Sequence, residues 1–176
     1  TQAADAVVAG AARLLESVRG LDAASSLTEI LDALTGATAR EAGRAAVLVV
    51  KGERLIGWRA SGFGAVDAEP RQMESSLHDS SALAESVHGM RAVAIGPGSV
   101  SAPKFDVSAP GHAALAVPLV VGGRAVAVVY SGAGDGTASP AWQAGVELLV
   151  RHAGRCLEAM TVQRAAQARA ASARVT

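Results

Sequence analysis

Residues 113–130 read Ala-Ala-Leu-Ala-Val-Pro-Leu-Val-Val-Gly-Gly-Arg-Ala-Val-Ala-Val-Val-Tyr. Two apolar runs, Ala113 to Val121 and Arg124 to Tyr130, flank the pair Gly122-Gly123. A two-residue hairpin turn of the primed type needs positive φ at both central positions, which glycine supplies without steric cost. The stretch therefore predicts an antiparallel hairpin. In its second arm Val126, Val128 and Tyr130 alternate with Ala125, Ala127 and Val129. Both sets are apolar, so both faces of the sheet must be covered. The alanine face predicts a helix packed close against it.

Outward from the hairpin, Gly132 to Ser139 reads as a loop, and Pro140 as the first position of a long helix, where its missing N–H costs nothing. Trp142, Val146, Leu149, Ala153, Cys156, Leu157 and Met160 line one side of that helix. Beyond Met160 only alanines, Val162 and Val175 remain apolar, and the helix continues on alanine propensity. Upstream, residues 96–111 hold Gly96, Pro97, Gly98, Pro103, Pro110 and Gly111 and read as a loop. Ala92 to Ile95 is a short strand. Ser81 to His88 is a short helix ending at Gly89, with His88 as a cation at the dipole's negative end. Residues 65–80 read as polar and irregular, with Pro70 inside.

The first sixty residues supply the remaining elements. Residues 3–19 read as a helix that Gly20 is expected to end, with Val7, Ala11, Leu14 and Val18, and Leu21 just beyond, at alternating spacings of four and three in a narrow stripe. Ser26 with Glu29 forms the Ser-x-x-Glu capping pattern of a second helix, buried through Leu27, Ile30, Leu31 and Leu34 and stopped by Gly43. Ala45 to Val50 and Arg54 to Ala60 form a hairpin around Lys51-Gly52-Glu53. The order is α-α-β-β-loop-α-β-loop-β-β-α. It predicts an α+β fold: a central antiparallel sheet of about five strands, the N- and C-terminal helices on one face, and the short helix with loops on the other.

Composition agrees with a single domain. The chain has 176 residues, half of them hydrophobic and 3% aromatic, with 19 glycines. Sixteen basic residues balance sixteen acidic ones, which lowers the expectation of a nucleic-acid partner. The tail is locally basic: from Arg151 onward stand Arg151, Arg155, Arg164, Arg169 and Arg174 against Glu158. One cysteine, Cys156, cannot form an internal disulfide or a cysteine metal cluster, and its helical spacing reads as core. No apolar run has the length of a membrane span, and the N-terminus lacks the basic start and apolar block of a signal peptide, so a cytoplasmic location is expected. His78, His88, His112 and His152 show no H-x-x-x-H or H-E-x-x-H spacing, so no metal site is expected, and His152 is expected to face solvent. Asp106 and Asp135 stand alone, and neither Gly62-x-Gly64 nor Gly132-x-Gly134-x-Gly136 makes a phosphate-cradling G-x-G-x-x-G.

Residues Leu14 to Met160 resemble a GAF domain. The likeness rests on Leu27-Thr28-Glu29-Ile30-Leu31 with Ala39 to Gly43, on the hairpin Ala45 to Phe63 with its closing glycine, on Ser81 to Val87 followed by Arg91 to Ile95, and above all on Leu115-Ala116-Val117-Pro118-Leu119 with Gly122 to Val129. Ala127 stands where the family hairpin commonly has glycine. A PAS or profilin-like roadblock sheet is the structural alternative. The resemblance implies a sensory or regulatory module of a bacterial signalling protein, not an enzyme, with a ligand held between the sheet and its cover. On that implication Trp58, Phe63, Met73, His78, Leu83, Phe105 and His112 are the candidate ligand-binding residues; the ligand or cofactor is not named by the sequence. The Asn-Lys-x-x-x-Phe pattern of cyclic-nucleotide-binding members is absent, and no cysteine stands in the pocket region for a bilin. The resemblance also implies flanking helices that pair with a second copy, and the apolar stripes Val7, Ala11, Leu14 and Val18 of the first helix and Leu149, Ala153 and Met160 of the last are the expected homodimer contacts; charge balance and hydropathy predict no direct contact to nucleic acid or membrane. The expected organisation is a dimerisation or linker helix over 1–20, the domain over 21–160 and a helical extension over 161–176. The alternative function is a ligand-free dimerisation scaffold.

Overall fold

The computed structural model describes residues 1–107, 111–134 and 138–175. Pro110, Asp135 and Gly136, read above as loop residues, lie outside them. The elements are α1 (Gln2–Ala23), α2 (Leu27–Ala42), β1 (Gly43–Lys51), β2 (Arg54–Ser61), β3 (Glu74–Ser76), α3 (Ala82–Gly89), β4 (Val93–Ile95), β5 (Ala114–Val121), β6 (Arg124–Ala133) and α4 (Trp142–Ala173). The six strands form one antiparallel sheet in the order β3-β2-β1-β6-β5-β4. The first and last strand pairs of the chain thus meet at the centre, where β1 pairs with β6.

Local chemistry fixes most boundaries. Ser26 Oγ accepts the Glu29 amide at 3.2 Å and starts α2. The Glu29 carboxylate reaches back one residue further than a capping box requires, to the Ser25 amide at 2.6 Å. Gly43, at φ 103°, ends α2, and Gly122 and Gly123 turn the β5–β6 hairpin at φ 59° and 75°. Gly20 does not end α1, which runs three residues further to Ala23. An interior glycine lowers helix stability without breaking it, and burial of Leu21 outweighs that cost. Gly89 is the last residue of α3, not its stop. Met90, at φ 49°, is the left-handed cap, the only such non-glycine among the described residues. Pro140 precedes α4 by two residues.

Two apolar layers cover the sheet. On one side α1, α2 and α4 pack Leu21, Ile30, Leu34, Val146, Leu149, Ala153 and Leu157 against Val47, Val117, Leu119, Ala127 and Val129. On the other side α3 and the loops pack Met73, Leu83 and Val87 against Leu48, Leu55, Ala116, Val128 and Tyr130. The first and last helices share a face, as expected. α4 lies so near β5 that a Cβ on Gly154 would stand 2.6 Å from the Val120 carbonyl oxygen.

Two bulges depart from simple alternation. Val47 and Leu48 pair with Arg59 and Gly57, so Trp58 is an extra residue of β2. Leu119 and Val120 pair with Ala127 and Ala125, so Val126 is an extra residue of β6. A bulge reverses side-chain facing beyond it. Ala125, expected beside Ala127, accordingly packs in the α3 layer, and Val126 is exposed. The segment 65–80 is also more ordered than its polarity suggested. It forms two 3-10 turns, Gly64–Asp67 and Pro70–Gln72, and the edge strand β3. The Gly57 amide donates to the Met73 carbonyl at 2.8 Å, and a Cβ on Gly57 would stand 1.9 Å from the Pro70 carbonyl oxygen. That close crossing brings Met73 inside.

Candidate functional site

The α3 side of the sheet holds a buried polar network under an aromatic cluster. Arg44, second residue of β1, donates from Nη1 to Asp106 Oδ1 at 2.5 Å, and the Tyr130 hydroxyl donates to Asp106 Oδ2 at 2.6 Å. The Asp106 side chain is fully buried and that of Arg44 is 10% exposed. Tyr130 comes from β6, which the β1–β6 pairing sets beside Arg44. Asp106 comes from the loop after β4. Two glycines make room for the arginine. A Cβ on Gly132 would meet Arg44 Nη2 at 2.5 Å, and one on Gly62, at φ 93°, would meet Arg44 Cγ at 2.8 Å.

Phe63 and Phe105 close over the pair. Ring centroids lie 5.5 Å apart for Phe63–Phe105, 5.5 Å for Phe105–Tyr130 and 5.9 Å for Phe63–Tyr130. The Arg44 guanidinium stands 5.3 Å from the Phe63 centroid, within cation–π reach. Burial, and then the hydrogen bond to Asp106, raise the Tyr130 phenol far above its ordinary value, so it remains a donor. Residues 103–106 therefore insert Phe105 and Asp106 into the layer between sheet and cover.

No family model matches the chain, and no curated protein matches it. Solved structures do. The GAF domain/HD domain protein from Geobacter sulfurreducens aligns with a TM-score of 0.63 at 21% identity, over 82% of this chain and 98% of that one. The GAF domain of the Acinetobacter phosphoenolpyruvate-protein phosphotransferase gives 0.66 at 12% identity, over 89% and 95%. Residues 122–287 of a methyl-accepting chemotaxis protein give 0.63 at 14% identity, over 85% and 98%. The fold is that of a GAF domain.

Within the GAF sheet the seven candidate ligand residues part company. Met73, Leu83, Phe63 and Phe105 meet in the α3 layer. Trp58 does not: as the extra residue of β2 it packs in the helical layer on the opposite face. Its indole N–H is buried there without a hydrogen-bond partner among the described residues. His78 does not join the layer either. It is 70% exposed and pairs with Glu53 at 3.0 Å, and the hydrogen bond and charge of Glu53 raise its pKa. His112 is half-buried just before β5. His88 anchors a loop: its Nε2–H donates to the Leu77 carbonyl at 2.7 Å. Sequence reasoning missed Arg44 and Tyr130 and set Asp106 aside as isolated, because its partners lie 62 and 24 residues away.

The candidate interface residues also divide. Leu149 and Ala153 are fully buried in the chain's own core, so they offer no surface to a second copy. Leu14, Val18 and Met160 are half-buried against that core. Val7 is 72% exposed, and Val8, Leu15 and Val162 are exposed beside it in sequence or along α4. A second buried carboxylate locks the base of these helices. Glu41 of α2 accepts from Arg13 Nε of α1 at 2.8 Å and from Ser139 Oγ, before α4, at 3.0 Å. The single cysteine is not simply core. Cys156 Sγ stands 3.8 Å from Asp22 Oδ1, which is 2.7 Å from His152 Nε2. Burial, then the Asp22 carboxylate, raise the Cys156 pKa. His152, expected in solvent, is thus held between α4 and the end of α1. Among the described residues no helix is long and apolar enough to cross a membrane.

Proposed function

We propose that this domain is a sensory or regulatory module, not an enzyme, whose ligand space is closed by its own loop and whose output is carried by terminal helices paired with a second copy. The observation that supports it is the seating of Phe105 and Asp106 over the sheet against Arg44 and Tyr130. A buried guanidinium already neutralised by a loop carboxylate is a two-state element. An incoming small molecule with a carboxylate or phosphate and an apolar body competes with Asp106 for Arg44 and with Phe105 for the aromatic cluster. The loop then leaves as the ligand enters.

The exposed apolar residues Val7, Val8, Leu15 and Val162 supply the pairing surface, and α4 from residue 161 onward is exposed throughout the described residues. On this reading 1–20 and 161–176 are the pairing and linker helices around a domain over 21–160. The module touches neither nucleic acid nor membrane directly, and it works in the cytoplasm. Light scattering across a concentration series tests the pairing: the expected mass is twice the 17.6 kDa of the chain. A monomer throughout, or a dimer unchanged by Val7→Glu with Val8→Glu, refutes it. The rival reading, a ligand-free dimerisation scaffold, rests on how completely small side chains fill the sheet's two layers. It predicts that a panel of aromatic carboxylates and phosphates shifts the melting of neither the wild-type chain nor Asp106→Ala, whereas the sensor reading predicts a rise in at least one.

A further inference from the structure

We propose that Asp22, His152 and Cys156 form a binding site for a thiophilic divalent metal ion of the zinc type, bridging the end of α1 and the middle of α4. The inference is independent of the ligand space over the sheet. His152 and Cys156 lie four residues apart on α4, so they present their side chains from one face. Asp22, in the last turn of α1, enters between them: its Oδ1 is 2.7 Å from His152 Nε2 and 3.8 Å from Cys156 Sγ. All three ligand atoms lie within 4.8 Å of one another. Tetrahedral bonds to zinc place neighbouring ligand atoms roughly 3.5 Å apart. The Asp22–Cys156 spacing meets this already, and the Asp22–His152 pair has to open by under about 1 Å.

The donor set decides the class of ion. One thiolate, one imidazole nitrogen and one carboxylate oxygen suit zinc and its neighbours, whereas magnesium and calcium favour oxygen alone. Three protein ligands leave a fourth position, and an open groove of about 420 Å³ borders Asp22, lined also by Met160, Gln163 and Gln167. Binding displaces the Cys156 thiol proton to solvent, shifts the proton that His152 Nε2 donates to Asp22 to the ring's Nδ1 by exchange with water, and replaces the Asp22–His152 hydrogen bond with two metal bonds. An ion there ties α1 to α4 across 130 residues of sequence. It adds a metal-dependent lock to two helices that otherwise meet through apolar contacts, the Asp22–His152 hydrogen bond and the Arg13–Glu41–Ser139 network.

The test uses the reduced, chelator-stripped 176-residue chain titrated with Co²⁺. The expected result is one equivalent bound, with a thiolate-to-cobalt charge-transfer band, d–d bands of tetrahedral intensity, and loss of both on adding Zn²⁺. Cys156→Ser abolishes the charge-transfer band. Asp22→Asn and His152→Gln each weaken binding by more than about tenfold, the lower range even for an outer-shell partner. Gln163→Ala leaves the titration unchanged. Circular dichroism verifies the fold of each variant. Protection of wild-type Cys156 from alkylation by Zn²⁺ gives a readout that needs no variant. Absence of the charge-transfer band, absence of zinc protection, or wild-type titrations by Asp22→Asn and His152→Gln overturns the site, the last by reducing it to an adventitious ion on a lone thiol.

Discussion

Removing the Asp106 carboxylate tests the packed state of the α3 layer most directly. In Asp106→Ala the Arg44 guanidinium, 10% exposed, loses a counter-ion at 2.5 Å, and the fully buried Tyr130 loses the acceptor of its hydroxyl at 2.6 Å. Breaking a buried pair from one side costs about 3–5 kcal/mol, because the remaining charge stays desolvated. Orphaning a buried hydroxyl costs about 1–3 kcal/mol more. The two losses share one network and do not add fully, so about 4–6 kcal/mol is expected in total. For a chain of this size 1 kcal/mol moves the midpoint by roughly 2–4 °C, which places the fall near 8–24 °C. Urea denaturation and calorimetry measure it. Tyr130→Phe, which leaves the ion pair whole, should cost only about 1–2 kcal/mol. Replacing both charges, as Arg44→Met with Asp106→Leu, should restore most of the loss, since an apolar pair carries no desolvation penalty. A loss below about 1 kcal/mol for Asp106→Ala, the value of a solvent-exposed pair, would refute the reasoning: the loop would then not be seated on the sheet.

Four further outcomes follow from the same geometry. Gly154→Ala should destabilise by about 1–2 kcal/mol, because its Cβ meets a backbone oxygen at 2.6 Å and overpacking outweighs the gain in helix propensity. Gly20→Ala, with nothing within 4 Å, should stabilise α1 by about 0.5–1 kcal/mol in the same urea assay. The Tyr130 pKa is raised on folding, so its contribution is complete below the unfolded phenol value of about 10 and is lost as pH climbs beyond it. Wild type should therefore lose stability above that pH more steeply than Tyr130→Phe. Because burial and Asp22 raise the Cys156 thiol, the metal-free native chain should alkylate at neutral pH more slowly than the unfolded one. Equal rates would place the thiol outside that environment.

The sequence alone determined what is encoded within a few residues. Gly122-Gly123 imposes its hairpin because few other residues accept two successive positive φ angles. Ser26 and Glu29 start α2 because a hydroxyl and a carboxylate there satisfy free amides. The apolar stripes of α1, α2 and α4 orient those helices because burial follows the 3.6-residue period. Tertiary structure decided the rest, and for two reasons. A bulge is a property of a strand pair, so nothing in β2 or β6 read singly says that Trp58 or Val126 is the extra residue. Trp58, grouped with the ligand-binding candidates on the family resemblance, packs in the helical layer instead. Polar partners far apart in sequence meet only through the strand order. Pairing of β1 with β6 sets Arg44 beside Tyr130 and leaves room for Asp106 from a distant loop. The packing of α1 on α4 likewise brings Asp22 to His152 and Cys156 across 130 residues. Short-range sterics and capping are written into neighbouring residues, whereas a buried charge finds its partner only after the sheet has chosen its order.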